Sequence, residues 1–198
     1  MHANSQLLFE AYATRFVRPQ SRVLEIGPDS IPSSYAKVFR EMPVTWHTLD
    51  ISNGADLTYP GVSDYEFPIP EEAYDVIIAG QVIEHVRKIW LWIQEVARVC
   101  RTGGHVILIN PVSWPYHAAP VDCWRIYPEG MRALLEDTRL RPIECRHESL
   151  ETPGYRRYLP GRSAAAQNAQ LSAFYRLAGR VGFPVERAYD TITIAQKV

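Results

Sequence analysis

Two acidic side chains and one glycine occupy positions at which an open parallel sheet binds its ligands. Glu25 lies in the apolar segment 22–26, which has the character of a strand, and Gly27 follows that segment directly. Asp50 ends the next strand-like segment, 23 residues after Gly27. A glycine at a strand's carboxyl end lets the backbone approach a ligand, and a carboxylate there can accept both hydroxyls of a ribose. The spacing indicates a nucleotide-containing ligand; a simple turn at Gly27 and a helix cap at Asp50 are the alternatives.

The segments that position these residues alternate between strand and helix character. Such alternation is typical of a sheet with crossover helices. The predicted strands are residues 22–26, 44–49, 55–59, 75–79, 106–110, 143–145 and 188–195, and the predicted helices are residues 32–42, 82–100, 128–137 and 164–180. This order predicts an α/β fold with a mostly parallel seven-stranded sheet and helices on both faces.

The longest predicted helix depends on a single apolar stripe along about five turns. Its members recur at steps of three or four residues, as expected for one helix face: Val82, Val86, Ile89, Ile93, Val96 and Cys100. The helix is expected to end at Thr102-Gly103-Gly104, because glycine readily adopts the left-handed conformation that ends helices.

Length and composition predict one globular domain over residues 1–198. The chain has 46% hydrophobic and 22% charged residues, which argues against disorder. We expect a core at about residues 20–145 and a helical insertion at residues 151–183 before the last strand. Three widely spaced cysteines indicate reduced thiols, so we predict neither a disulfide framework nor a metal site.

The charge and hydropathy patterns restrict the partners. A net charge of −1 gives no general reason to bind nucleic acid. The apolar runs are much shorter than the roughly 20 residues of a membrane span, and the N-terminal segment lacks the features of an export signal. We therefore expect a cytoplasmic monomer or homodimer that binds neither nucleic acid nor membrane.

Four sequence blocks together resemble one enzyme family. The blocks are VLEIGP at 23–28, TLDI at 48–51, FPIPEEAYDVIIAGQVIEHV at 67–86 and EVARVCRTGGHVILINP at 95–111. In this order and spacing they resemble the class I S-adenosylmethionine-dependent methyltransferases over about residues 20–140. The resemblance implies a Rossmann-like fold and S-adenosylmethionine as the cofactor.

The resemblance also implies roles for the matching residues at the donor site. Glu25 would hold the methionine amino group, directly or through water, and Gly27 would let the backbone contact that moiety. Asp50 would bind the ribose, and Ile51 would pack on the adenine.

Three further positions complete the implied donor site. Asp64 would meet the exocyclic amine of the adenine, with Asp56 as the alternative. Gly80 and Gln81, at the end of the central strand, would lie near the methionine end and the reactive methyl group.

The loop after Gly27 departs from the family pattern. Further glycines are usual there, but in this chain Pro28 is followed by Asp29, Ser30 and Ile31. Asp29 could take a positive φ angle at a modest cost, since aspartate tolerates that region better than most residues. A reshaped loop leaves open a non-catalytic binding protein with a methyltransferase fold.

The loop at residues 110–128 is the predicted acceptor side. It resembles a subgroup of these methyltransferases that accompanies glycan or secondary-metabolite assembly enzymes. Its aromatic side chains would wall the acceptor pocket: Trp114, Tyr116 and Trp124. Arg125 would either orient the acceptor or pair with Asp122 and fix the loop. By contrast, three other tryptophans are expected to serve packing rather than recognition: Trp46, Trp90 and Trp92.

Two histidines are the candidate catalytic bases. His117 lies in the 110–128 loop and His85 follows the central strand. A neutral imidazole can accept a proton from an acceptor hydroxyl near neutral pH. Each has a structural alternative, because a polar side chain at a helix start such as His85 can satisfy free backbone groups.

The charge distribution bears on the acceptor. Residues 1–138 carry 11 Lys and Arg against 17 Asp and Glu, whereas residues 139–198 carry 10 against 5. We expect the arginine-rich segment 139–162 to form the acceptor side together with the 110–128 loop, because guanidinium groups bind phosphate or carboxylate. A surface of arginines paired to nearby acids is the alternative.

The combined interpretation is O-methylation of a small molecule, a sugar or related metabolite. N-methylation and a protein acceptor remain alternatives within the enzyme class, and a binding protein without catalysis remains outside it. An NAD-linked dehydrogenase is disfavoured, because the GPDSI loop lacks the second and third glycines of the dinucleotide fingerprint.

Overall fold

The computed structural model describes residues 3–118, 120–151, 156–157, 166–167, 169–181 and 187–198. These residues form a main sheet of six strands and a separate two-stranded ladder. The strands are β1 Arg22–Ile26, β2 Thr45–Leu49, β3 Tyr74–Gly80, β4 Cys100–Pro111, β5 Leu140–Glu148, β6 Arg156–Arg157, β7 Ala166–Gln167 and β8 Asp190–Lys197.

The main sheet has the strand order β2-β1-β3-β4-β8-β5. The first four strands in this order pair in parallel, and β8 lies antiparallel between β4 and β5. Buried parallel strands read as continuous apolar runs, which is how the sequence identified β3 and β4. The prediction of a mostly parallel α/β sheet is confirmed.

The prediction of seven strands is wrong in the described part of the chain, because residues 55–59 do not form a strand. Tyr59 makes an isolated parallel bridge to Leu49. Just before it, Thr48 and Thr58 exchange bonds in which each backbone N–H donates to the other's side-chain hydroxyl, both at 3.1 Å. Tyr59 thus keeps two backbone bonds, but at Thr58 side-chain oxygens replace the ladder bonds that a seventh strand would need.

Helices cover both faces of the sheet. They are α1 Ala3–Leu8, α2 Ser34–Val38, α3 Ile89–Val99, α4 Pro128–Glu136 and α5 Ala169–Arg180, with a π-helical turn at Phe9–Ala13 and 3-10 turns at Thr14–Phe16 and Ile83–His85. Alternate residues of β1 and β3 belong to two separate buried clusters, since successive strand side chains face opposite sides. One cluster contains residues of α3 and α4, and the other contains residues of α1 and α2.

The predicted helix at 82–100 is divided. A 3-10 turn occupies Ile83–His85, Val86 is extended with φ −88° and ψ 120°, and α3 begins only at Ile89. Its last residue is Val99, after which β4 begins at Cys100. The apolar stripe crosses these breaks because its residues pack against one core whatever their backbone conformation.

The other predicted helices differ mainly in length. Residues 32–42 give only α2, which begins after Ser33, whose hydroxyl accepts a hydrogen bond from the Ala36 amide. The helix at 128–137 is confirmed as α4. The helix at 164–180 is found as α5 at its C-terminal part, and residues 164–165 and 168 lie outside the described residues.

Arg98 of α3 anchors the chain segment that carries Phe67 toward the donor site. Its guanidinium donates to both carboxylate oxygens of Glu95, at 2.9 and 2.8 Å, and to the carbonyl oxygens of Ile69 and Phe67, at 2.8 and 3.1 Å. The Phe67 amide donates to the same Glu95 carboxylate at 3.0 Å. The Arg98–Glu95 ion pair therefore provides hydrogen-bond partners for backbone groups of residues 67–69, which lie outside the strands of the sheet.

We expect Arg98→Ala to lower the free energy of unfolding by about 2 kcal/mol, because charge-assisted hydrogen bonds to Glu95 and to two backbone carbonyl oxygens are lost. Arg101→Ala is the matched control. Arg101 pairs with Asp75 at 2.6 Å, but its side chain is 57% exposed, so its loss should cost less than about 1 kcal/mol. Urea denaturation measures both, and equal losses would contradict the anchoring role of Arg98.

Candidate cofactor and acceptor site

Two adjoining cavities lie at the carboxyl ends of β1, β2 and β3. Their volumes are about 600 Å³ and about 120 Å³, and Gly27, Asp29 and Gln81 line both. All seven residues predicted to bind the cofactor line one cavity or both: Glu25, Gly27, Asp50, Ile51, Asp64, Gly80 and Gln81. The sheet edge therefore brings together residues that are up to 56 positions apart in the sequence.

The Glu25 carboxylate is held by donors from two other elements. The Ser33 hydroxyl donates to Oε2 at 2.5 Å and the Trp46 indole N–H donates to the same oxygen at 2.8 Å. Oε1 accepts no hydrogen bond from the described residues. Burial raises the pKa of Glu25 to about 7, although both hydrogen bonds lower it. The side chain offers one free carboxylate oxygen in the smaller cavity to a cationic group.

Gly27 must be a glycine for two reasons. Its φ angle is +67°, and a Cβ on it would lie 2.5 Å from Val82 Cγ2. Asp29 does not take the predicted positive φ angle, because its carboxylate accepts bonds from the Ser34 amide and hydroxyl at 2.9 and 2.6 Å. Burial raises the pKa of Asp29, but the bonds from Ser34 outweigh burial and lower it.

Gly80 and Gln81 end the central strand beside Tyr35. A Cβ on Gly80 would collide with the Tyr35 hydroxyl, which itself bonds Ser5 Oγ at 2.7 Å. Gln81 has a φ angle of +61°, which is uncommon for a residue with a side chain. Its side-chain nitrogen Nε2 donates to the Asp190 carboxylate at 3.3 Å. The strand therefore turns sharply at the wall between the two cavities.

The adenosine side of the larger cavity follows β2. Asp50 Oδ1 accepts a bond from the Ser52 amide at 2.6 Å, which orients the carboxylate directly after the strand. Ile51 is 49% exposed and lines the cavity as an apolar surface. Asp64 also lines it, with a pKa raised by burial, whereas the alternative Asp56 is exposed and lines neither cavity.

Asp122 and Arg125 fix the 110–128 loop. Arg125 donates through both terminal nitrogens to the Asp122 carboxylate, at 2.5 and 2.6 Å. It also donates to the carbonyl oxygens of Trp114 and Pro115. The pair therefore holds the loop backbone, which agrees with the structural alternative for these residues.

The predicted aromatic wall of the acceptor pocket is not observed. Of the described residues of the loop, which exclude residue 119, only Pro120 and Val121 line the larger cavity. Trp124 packs against the core and donates its indole N–H to the Val86 carbonyl at 2.8 Å. Tyr116 is 77% exposed. These side chains are used for packing or face away from the cavity because the Asp122–Arg125 pair sets the loop's path.

The described residues of the arginine-rich segment 139–162 likewise do not line either cavity. Arg146 pairs with Glu144 at 2.5 Å, and Arg141 donates to the Thr138 carbonyl. The side chains of Arg156, Arg157 and Arg162 lie outside the described residues. For the described arginines, pairing and local contacts replace the expected role at the acceptor side.

His85 lines the larger cavity, and His117, which lines neither cavity, lies beside it. Their ring centroids are 5.1 Å apart. His85 Nδ1 lies 2.5 Å from the Val121 carbonyl oxygen, and His117 Nδ1 lies 3.2 Å from that of Pro115. Burial lowers the pKa of His117, against the opposing effects of Pro115 and Asp122. The neutral imidazole of His117 is therefore favoured.

The resemblance of the chain to known proteins agrees with this geometry. Residues 35–108 match the family model described as a methyltransferase domain, whereas no curated protein sequence matches significantly. A SAM-dependent methyltransferase from Archaeoglobus fulgidus superposes with a TM-score of 0.63 at 13% identity, covering 97% of this chain and 92% of the other.

Two further solved structures show how broadly the fold is used. Geranyl diphosphate C-methyltransferase from Streptomyces coelicolor, in complex with Mg²⁺, geranyl-S-thiolodiphosphate and S-adenosylhomocysteine, has a TM-score of 0.61 at 14% identity, with 99% of this chain and 76% of the other covered. The [4+2]-cyclase SpnF has a TM-score of 0.61 at 15% identity, with 98% and 80% covered.

The chain thus has the Rossmann-like fold of the class I methyltransferases, and the comparisons support both that family and S-adenosylmethionine as the cofactor. The residues fit this molecule, because Glu25 keeps one carboxylate oxygen free for an ammonium group and Gly27 leaves the backbone open. No helix among the described residues is long and apolar enough to cross a membrane.

Sequence reasoning missed the residues that orient Glu25. Trp46 was expected to pack only, and Ser33 carried no signal beyond a possible helix cap. Side chains alternate along β2, so Trp46 and Thr48 lie on one face. Whether the Glu25 carboxylate lies on that same face depends on how β1 pairs with β2. That register is not visible in the sequence.

Glu25→Gln tests the burial of this carboxyl group. Because folding raises its pKa from 4.5 to about 7, its contribution to stability is fully present below pH 4.5 and is lost as pH rises through about 7. Glutamine mimics the protonated form. The free energy of unfolding of the variant should therefore exceed that of the wild type by up to about 3 kcal/mol at about pH 8 and equal it at acid pH.

Urea denaturation of the ligand-free protein over this pH range measures the difference. Glu41→Gln is the control, since the Glu41 side chain is 88% exposed and should leave the pH profile unchanged. A Glu25→Gln profile parallel to that of the wild type would show that Glu25 is not buried as an acid.

Proposed function

We propose that the protein transfers a methyl group from S-adenosylmethionine to an oxygen atom of a small molecule, with a sugar or related metabolite as the acceptor class. The observation that carries the proposal is the pair of adjoining cavities with the Glu25 carboxylate at one end and Asp50 at the other. Their linings suit the cationic and ribose ends of one donor molecule.

Each side chain in the donor site has a separate task. Glu25 accepts a hydrogen bond from the methionine ammonium through Oε1, and Asp50 accepts from the ribose hydroxyls. Ile51 covers one face of the adenine, and Asp64 accepts from its exocyclic amine. When bound, the donor supplies a methyl group already activated by its sulfonium charge.

The chain's remaining contribution is alignment of the acceptor and exclusion of water, which can supply much of the acceleration. Pro120 and Val121 line the larger cavity on the side of the 110–128 loop. His85 also lines it, with the His117 ring beside it, and an imidazole there is suited to activate an acceptor hydroxyl. A cavity of about 600 Å³ suits a small acceptor better than a folded protein.

The proposal predicts saturable binding of S-adenosylhomocysteine at micromolar concentration, measured by calorimetry, and weaker binding of NAD. Incubation with S-adenosylmethionine and a panel of sugars should then yield S-adenosylhomocysteine. If S-adenosylhomocysteine does not bind at about 1 mM, its binding free energy is weaker than roughly 4 kcal/mol. That result would favour the non-catalytic binding protein. Turnover with amines but not with hydroxyl compounds would replace O-methylation by N-methylation.

Asp50→Ala should weaken S-adenosylhomocysteine binding at least tenfold, because charge-assisted hydrogen bonds to the ribose contribute roughly 1.5–3 kcal/mol each. Asp56→Ala is the matched control, since Asp56 is an exposed aspartate six residues away that lines neither cavity. Calorimetric titration that gives equal affinities for the two variants would remove Asp50 from the ribose site.

A further inference from the structure

Glu84 is a buried carboxylate that receives no hydrogen bond from any other residue of the described structure. Its side chain is fully buried, and this holds for both carboxylate oxygens. Its neighbour His85 places Nε2 at 3.7 Å from Oε1, which is too far for a hydrogen bond. A buried polar group without a partner is costly, and an ion is one of the few causes that explain its retention.

Two imidazoles share this site with Glu84. One ligand atom each of Glu84, His85 and His117 lies within 4.8 Å of the others. Ligand atoms around one first-row metal ion stand roughly 3 to 4 Å apart, given bonds of about 2.1 Å. His117 is the least buried of the three, with its side chain 22% exposed, so it is the ligand with the most freedom to adjust around an ion.

The tautomers of both histidines suit metal binding. His85 Nδ1 donates to the Val121 carbonyl oxygen at 2.5 Å, and His117 Nδ1 donates to the Pro115 carbonyl oxygen at 3.2 Å. In each ring the lone pair is then on Nε2. Metal-binding histidines almost always donate their second nitrogen to a carbonyl or carboxylate in this way, which fixes the ring.

The surrounding backbone is fixed as well. The Cys123 amide donates to the Glu84 carbonyl oxygen at 2.7 Å, which ties the 110–128 loop to the turn that carries Glu84 and His85. On the other side, the Asp122 carboxylate accepts from the His117 amide at 2.8 Å while it pairs with Arg125. Hydrogen bonds thus hold both parts of the site in register.

We propose that Glu84, His85 and His117 bind a divalent transition-metal ion beside the donor cleft. The ion supplies the positive charge that is missing beside the buried carboxylate. The donor set of two imidazoles and one carboxylate suits Zn²⁺, Fe²⁺, Co²⁺ or Mn²⁺. Three protein ligands leave at least one coordination position open. Because His85 lines the cleft, that position is available to an acceptor oxygen; this role, unlike the metal site, rests on the proposed function.

Titration of tag-free, chelator-treated full-length protein with Co²⁺, without S-adenosylmethionine, tests the site. Visible d–d absorption should rise and saturate at one ion per chain. Glu84→Gln and His117→Ala should each weaken Co²⁺ binding at least tenfold, with folding verified by circular dichroism, because each removes one ligand. His117→Ala keeps the test valid if the buried Glu84→Gln variant does not fold.

Two control variants retain full affinity if the assignment is right. His147→Ala removes a histidine that stacks on Tyr127 and Tyr189 away from the site, and Cys123→Ser removes an exposed thiol near it. Absence of saturable absorption up to about 1 mM Co²⁺ would overturn the proposal. Unchanged affinity in His117→Ala, or loss of binding in Cys123→Ser, would overturn it as well. Binding of S-adenosylhomocysteine is measured separately, so either proposal can fail alone.

Discussion

Burial of the Glu25 carboxylate is the constraint on which the donor site depends. A carboxylate that is 2% exposed must receive hydrogen bonds to remain ionised. Ser33 and Trp46 provide them, and Ser33 Oγ also accepts from the Ala36 amide at the start of α2. Oε2 of Glu25 therefore fixes three features: the path of the loop from Gly27 to Ser33, the beginning of α2, and the orientation of Trp46 on β2. The smaller cavity is the space that this arrangement leaves.

Features that depend on local chemistry could be predicted from the sequence. The apolar runs of β1, β3 and β4 identify buried parallel strands, and the ends of such strands define the ligand edge wherever the chain goes next. This is why Glu25, Gly27, Asp50 and Gln81 lie at one edge as expected. Pro128 similarly marks the first turn of α4.

Features that depend on tertiary contacts could not be predicted. The apolar stripe continues through Val86, but the Trp124 indole bonds the Val86 carbonyl and holds that residue extended. Tyr35 requires a glycine at position 80 because its hydroxyl occupies the place of a Cβ, and nothing in either residue's neighbourhood in the sequence indicates this. The missing seventh strand has the same origin, since Thr48 and Thr58 use side-chain oxygens in place of a ladder.

Glu25 and Glu84 show how differently one residue type is used in the same sheet edge. Both carboxyl groups have raised pKa values because of burial, to about 7 and about 8. Ser33 and Trp46 donate hydrogen bonds to Glu25, which favours its ionised form. Its second oxygen is then available to bind an organic cation. No donor from another residue meets Glu84. Burial raises its pKa, its own backbone N–H and the charge of Arg125 lower it, and the negative charges of Asp122 and Asp190 raise it further. A buried acid that no other residue meets, beside two imidazoles whose free nitrogens face the same space, fits a cation, and this distinguishes the proposed metal ligand from a residue that binds substrate.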